Sequence, residues 1–268
     1  MKVQLYGIEV QYEDSGKGVP ILIIPGLFIN SKSMIPVMEP ILSVQDKYRR
    51  LYIDLPGMGD TSKHSLENTT ESMINILLSF VEKVVGKEKL YVMGYSYGGY
   101  LATGLARALD EQVIGEIRVC AVVHAKMKDR TLPPKEVIEK DEEFVKTLSE
   151  EEQEAALKDL AIINKKTFTR YKKEIINERR RIDRPFLLDL FFNGYKYDIL
   201  EHKRIMVKRP VLFILGKQDS VCGYKDTLSI LDYYENPTVH IINKASHNVH
   251  IEHEELFNLL VKSWLEEN

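Results

Sequence analysis

Residues 90–102 read Leu-Tyr-Val-Met-Gly-Tyr-Ser-Tyr-Gly-Gly-Tyr-Leu-Ala. A short apolar run with β-favouring residues predicts a buried strand over 89–93, and the small-residue spacing after Ser96 predicts a helix over 97–109. Between them lies Gly94-Tyr-Ser-Tyr-Gly98, a serine at a strand-to-helix turn. Glycines on both sides suit a turn so tight that the flanking residues meet neighbouring backbone. Such a turn lifts a hydroxyl out of the sheet and sets it at the positive end of a helix, where developing negative charge is stabilised.

Outward from this turn the same alternation repeats. Lys2–Tyr6 and Ile8–Glu13 read as a strand pair, and Pro20–Ile24 (PILII) as a strand buried on both faces. Arg50–Asp54 is a further strand, Asn68–Val85 has helical spacing, and Glu116–Val123 reads as a strand. The alternation breaks over about 125–205, a charged stretch of helical pattern with Pro133-Pro134 before it and a capping-box start at Ser149-Glu-Glu-Glu152. It resumes with strand Pro210–Leu215, a helix near 223–233, strand Thr238–Ile242 and a last helix over 252–265. The expected architecture is α/β: a mostly parallel sheet of the eight-stranded type with helices on both faces. Core segments 1–124 and 206–268 would flank an inserted helical cap, 125–205.

Bulk properties fit one soluble globular unit. The 268 residues are 44% hydrophobic and 29% charged, with 37 basic against 40 acidic residues and a net charge of −3. That balance gives no reason to expect nucleic acid or an anionic membrane as partner. No apolar run approaches the roughly 18 residues needed to span a bilayer, and the N-terminus lacks the apolar core of a signal peptide. Two cysteines, Cys120 and Cys222, have no metal-ligand spacing and read as free thiols of a cytoplasmic chain. The acidic run 140–154 and the basic run 165–184 read as solvated helix faces.

With strand before and helix after, Gly94-x-Ser96-x-Gly98 resembles the nucleophile elbow of the α/β-hydrolase superfamily. The resemblance covers nearly the whole chain apart from the cap. It implies the chain order serine, acid, histidine. Of seven histidines, His247 in Ala245-Ser-His-Asn-Val-His-Ile-Glu252 matches the superfamily's base, with His250 as substitute, and Glu252 matches the acidic residue after it. Asp219 in Leu215-Gly-Lys-Gln-Asp matches the superfamily's Gly-x-x-Asp loop, with Asp129 as the alternative acid. Asp54, in Asp-x-Pro-Gly-x-Gly, matches a structural loop. The implied oxyanion donors are the backbone N–H groups of Tyr97 and of Leu27 (alternatively Phe28). Many relatives have His-Gly where this chain has Pro25-Gly26.

A serine nucleophile implies acyl chemistry without cofactor or metal on a small-molecule acyl substrate, whereas relatives that open epoxides carry aspartate there. The spacing His247, His250, His253 also suggests a metal site, but His253 should open the last helix while His247 precedes it, so the three need not converge. A small or medium apolar ester is the expected substrate, with proline iminopeptidase-like or C–C bond hydrolysis as alternatives. A non-enzymatic binding protein of hydrolase shape is the competing class, and failure of a fluorophosphonate to label the protein would favour it. Cap aromatics (Phe168, Tyr171, Phe186, Phe191, Phe192, Tyr195, Tyr197) should form cap core, with some lining an acyl pocket. Oligomeric state has no signal in the sequence.

Overall fold

A computed structural model describes residues 1–45, 47–63, 66–202 and 205–268. His64 therefore lies outside the described residues, as does the side chain of His202. The described residues form ten strands: β1 Lys2–Leu5, β2 Ile8–Ser15, β3 Val19–Ile24, β4 Tyr48–Ile53, β5 Leu90–Tyr95, β6 Val113–Val119, β7 Glu139–Lys140, β8 Ile162–Ile163, β9 Val211–Gly216 and β10 Pro237–Ile242. Eight of them form one sheet in the order β1-β2-β4-β3-β5-β6-β9-β10. It is antiparallel at β1–β2 and β2–β4 and parallel from β4 to β10. The central strands β3, β5 and β9 are buried almost throughout, which is why they read as unbroken apolar runs rather than alternating ones.

Helices cover both faces. On one, Thr70–Phe80 and Tyr97–Leu109 pack Met73, Leu77, Phe80 and Leu101 into a core shared with β3, β4 and β5. On the other, Ser31–Leu42 and Glu254–Glu267 bury Met34, Met38, Phe257 and Trp264. The sequence reading assigns no helix or strand between Gly26 and Arg50, so the Ser31–Leu42 helix is an addition. Pro36 and Pro40 inside it mask the helical signal, since each lacks an N–H and crowds the preceding turn. Burial of one face and the Asn30 side chain, which accepts from Lys32 N–H at 2.9 Å, hold the helix nonetheless.

Several boundaries differ from expectation. The Asn68–Val85 helix starts at Thr70, and its last turn widens over Val81–Val85 before Gly86 at φ 68°. The strand expected over 116–123 ends at Val119, because Cys120 at φ 43° turns the chain out of the ladder while the following residues stay buried. The helix expected near 223–233 is two short turns, Lys225–Leu228 and Leu231–Tyr233. The last helix spans Glu254–Glu267, after a separate turn at Val249–Glu252. Among the described residues no helix is long and apolar enough to cross a membrane.

Segment 125–205 contributes short helices, among them Glu150–Asp159, Lys165–Tyr171 and Arg184–Asp189, plus the unexpected parallel pair β7–β8. The capping box at Ser149 is present: its hydroxyl accepts from Glu152 N–H, and the Glu152 carboxylate accepts from Ser149 N–H. The basic run is not all solvated, since Arg170 bonds to Glu174, a carboxylate only 3% exposed. Among the aromatics, Phe168 and Tyr171 are buried with Val145 and Ala156, while Phe192 is 74% exposed.

Candidate active site

Ser96 follows β5 and precedes the Tyr97–Leu109 helix with φ 56° and ψ −118°, a backbone conformation that a non-glycine residue adopts only under constraint. The constraint is close packing. A Cβ on Gly94 would lie 2.3 Å from the Gly98 carbonyl oxygen, and one on Gly98 would lie 2.2 Å from that of Ile24. The elbow is also tied sideways to β6: Ser96 N–H donates to Val119 O, and Val122 N–H donates to Ser96 O. Sequence and structure agree on why glycine stands at both positions.

His247 Nε2 lies 2.9 Å from Ser96 Oγ, and its Nδ1 lies 3.0 Å from Asp219 Oδ2. The other Asp219 oxygen accepts from the N–H groups of Val221 (2.8 Å) and Cys222 (3.0 Å). Burial alone would raise the Asp219 pKa, but the His247 charge, its hydrogen bond and these two donors hold it below the usual carboxylate range. Burial would likewise depress His247, yet the facing Asp219 carboxylate outweighs it and raises the imidazole above its ordinary value.

The loops that carry Asp219 and His247 are stitched together. Lys217 N–H donates to Ile242 O, Gln218 N–H to Ala245 O, and the Gln218 side-chain oxygen accepts from Ala245 N–H. A Cβ on Gly216 would lie 2.1 Å from Ser246 O, so only glycine lets the strands' ends approach this closely. Glu252 is a loop organiser: its carboxylate accepts from Ser246, Ala161 and Ile162 N–H. It thereby joins the His247 loop to β8. Burial pushes its carboxyl up against the pull of those three donors.

The alternatives fall elsewhere. His250 is buried behind Tyr95, ring centroids 4.8 Å apart, with both ring nitrogens unbonded among the described residues; burial drives its pKa well down. His253 donates to Lys244 O, so the three histidines do not converge. Asp129 is exposed in the Met127–Asp129 turn. Asp54 accepts from Ser31 and Asp60 N–H and fastens the loop after β4 to the Ser31–Leu42 helix. Cys120 Sγ lies within 4.8 Å of ligand atoms of Asp219 and His247, but burial pushes its thiol up to about 12, so it packs there as a neutral group.

Leu27 and Tyr97 flank the serine. Tyr97 is the first residue of its helix, where N–H groups have no intrahelical acceptor. A Cβ on Gly26 would be 3.2 Å from Ser96 Cβ, which places the Gly26-Leu27 loop against the nucleophile. Gly98 is pressed against the carbonyls of Ile24 and Pro25, which leads into that loop. Phe28 follows at φ 67°. Above these residues opens a cavity of ≈ 400 Å³ lined by Leu27, Phe28, Ser96, Phe191, Tyr195 and His247, among others. Sequence reading passed over Tyr95, whose hydroxyl donates to His247 O, and Asn248, whose side chain donates to Asp159 O. Their adjacency to Ser96 and His247 was the available signal.

This arrangement on this sheet defines an α/β hydrolase. The alpha/beta hydrolase fold model matches residues 19–254, and the chain belongs to that superfamily. It is similar to the 2-hydroxy-6-oxo-6-(2'-aminophenyl)hexa-2,4-dienoic acid hydrolase of Metapseudomonas resinovorans, 24% identical over 267 residues, covering 97% of this chain and 88% of the relative. Pimeloyl-[acyl-carrier protein] methyl ester esterase of Shewanella woodyi is 30% identical over 111 residues, 41% of this chain and 38% of the relative. Among solved structures, an alpha/beta superfamily hydrolase from Oenococcus oeni PSU-1 superposes with a TM-score of 0.89 at 28% identity, covering 96% of each chain.

Proposed function

We propose that the protein is a serine hydrolase of small carboxylic esters, acting through an acyl-enzyme on Ser96. The observation that carries this reading is the unbroken chain Ser96–His247–Asp219, 2.9 and 3.0 Å, at the floor of an otherwise largely apolar cavity. His247 Nε2 takes the Ser96 proton as Oγ attacks the ester carbonyl. Asp219 holds the Nδ1–H tautomer and stabilises the imidazolium. The Leu27 and Tyr97 N–H groups receive the oxyanion, each donor of this kind contributing about 3 kcal/mol to the transition state. His247 then protonates the leaving alcohol, and a water activated the same way releases the acid. Segment 125–205 acts as the cap that roofs the cavity.

The test is covalent and direct. A fluorophosphonate should label the protein on Ser96, 4-nitrophenyl butyrate should be hydrolysed, and Ser96→Ala should lose both. Absence of labelling, or labelling that survives Ser96→Ala, overturns the reading.

A second reading is favoured by a relative that spans most of the chain, a hydrolase of a 2-hydroxy-6-oxo-dienoic acid. The same three residues can cleave an activated C–C bond, and loss of the absorbance of such a dienoate on incubation would decide for it. Aminopeptidase action has less support. A substrate ammonium needs a free carboxylate, and among the described residues the one acid lining the cavity, Asp159, is already paired with Arg179 at 2.7 Å.

A further inference from the structure

The cavity above Ser96 carries a charge imbalance that acyl transfer does not use. Three cations line it, Arg130, Lys158 and Arg179, against the single carboxylate of Asp159. Asp159 is committed: its Oδ2 accepts from Arg179 Nη1 and from the Tyr171 hydroxyl, both at 2.7 Å. Arg130 is half-buried and donates to three main-chain carbonyls, Nε to His124 (2.7 Å), Nη1 to Val221 (2.7 Å) and Nη2 to Ala125 (2.9 Å). Among the described residues no carboxylate lies within ion-pair distance of it.

Neutral acceptors fix the guanidinium in place but leave its full charge without a counter-ion. A fixed, partly desolvated guanidinium on a cavity wall is an anion site, and its planar fork suits a carboxylate better than an ammonium would. The exposed Lys158 adds positive potential at the rim, which raises the local concentration of anions. The alternative is that Arg130 merely straps the chain leaving β6 to the Asp219 loop through Val221.

We propose that Arg130 is the anion anchor of the active-site cavity and that the preferred substrate is an ester bearing a carboxylate a short chain away from the scissile carbonyl. The inference rests on the serine-hydrolase reading above and narrows its substrate class.

Two measurements test it. The first compares kcat/KM for monomethyl adipate, an anion, with that for dimethyl adipate, its neutral counterpart. The wild-type enzyme should favour the anion at least tenfold, Arg130→Met should bring the ratio to one or below, and Arg130→Lys should retain part of it. The ratio is the readout, because a lost strap would lower both rates together and leave it unchanged. The second measures protection of the wild-type protein: adipate should slow Ser96 labelling by a neutral fluorophosphonate at concentrations where adipamide does not, and raising ionic strength should weaken the protection. Equal rates on the two esters, an unchanged ratio in Arg130→Met, or equal effects of adipate and adipamide overturn the proposal. If Ser96 is labelled and these tests fail, the hydrolase stands and only the anchor falls. If Ser96 is never labelled, the underlying reading fails first.

Discussion

In the proposed mechanism Asp219 Oδ2 decides which nitrogen of His247 carries the proton, and so whether Nε2 is free to accept one from Ser96. Replacing Asp219 with asparagine keeps the shape and removes the charge, and turnover should drop about 10⁴-fold, read as kcat on 4-nitrophenyl butyrate. The same pair fixes the pH response. As the proposed base, His247 must be neutral to work, and Asp219 stabilises its protonated form, so kcat/KM should fall on acidification with a midpoint above the ordinary histidine value of about 6.5. A pH–rate profile with its acid limb below that value would contradict the electrostatic argument. Ser96, Asp219 and His247 were legible as residues because each stands in a short local pattern. Arg130 was not, since nothing in its neighbours distinguishes a cavity-lining polar side chain from a surface one.

Elements hold these residues through close approaches that only glycine permits. Gly98→Ala would place a methyl 2.2 Å from the Ile24 carbonyl and 2.5 Å from that of Pro25, both backbone atoms that cannot swing aside. Overpacking of this kind costs about 1–3 kcal/mol, and thermal unfolding should fall by roughly 3–10 °C with a larger loss of activity, since the Leu27 N–H proposed to receive the oxyanion moves with the loop. Glu252→Ala tests the second clamp. It strands three main-chain N–H groups, each costing about 1–3 kcal/mol if it stays buried, and calorimetry should show a destabilisation of several kcal/mol. Strands were well read because continuous apolar runs mark a doubly covered parallel sheet. The Ser31–Leu42 helix escaped because two prolines hide a pattern that tertiary burial nevertheless enforces, and β7–β8 escaped because two-residue strands have no periodicity to read.

At the scale of the whole molecule, the cavity is bounded. Its ≈ 400 Å³ stands near the lower end of ligand pockets, which run from about 300 to 1,000 Å³, and Phe28 meets Phe191 across it at 6.3 Å. Acyl chain length should therefore matter: kcat/KM on 4-nitrophenyl esters should fall at least about tenfold, roughly 1.4 kcal/mol, between butyrate and palmitate. A rate that keeps climbing to palmitate would mean a roof that yields. The alternation of elements made the α/β plan legible, whereas the path of segment 125–205 depends on contacts between short helices that local sequence does not encode.

The alcohol stands on β5 while its acid and base hang from β9 and β10, with β6 between them as a spacer. The 2.9 Å contact is therefore a caliper laid across the sheet, and any change in twist is read first as a wider jaw. Misplacement by about 1 Å can cost 10² in rate long before strands part. Heated slowly, such a molecule should go silent while it is still folded.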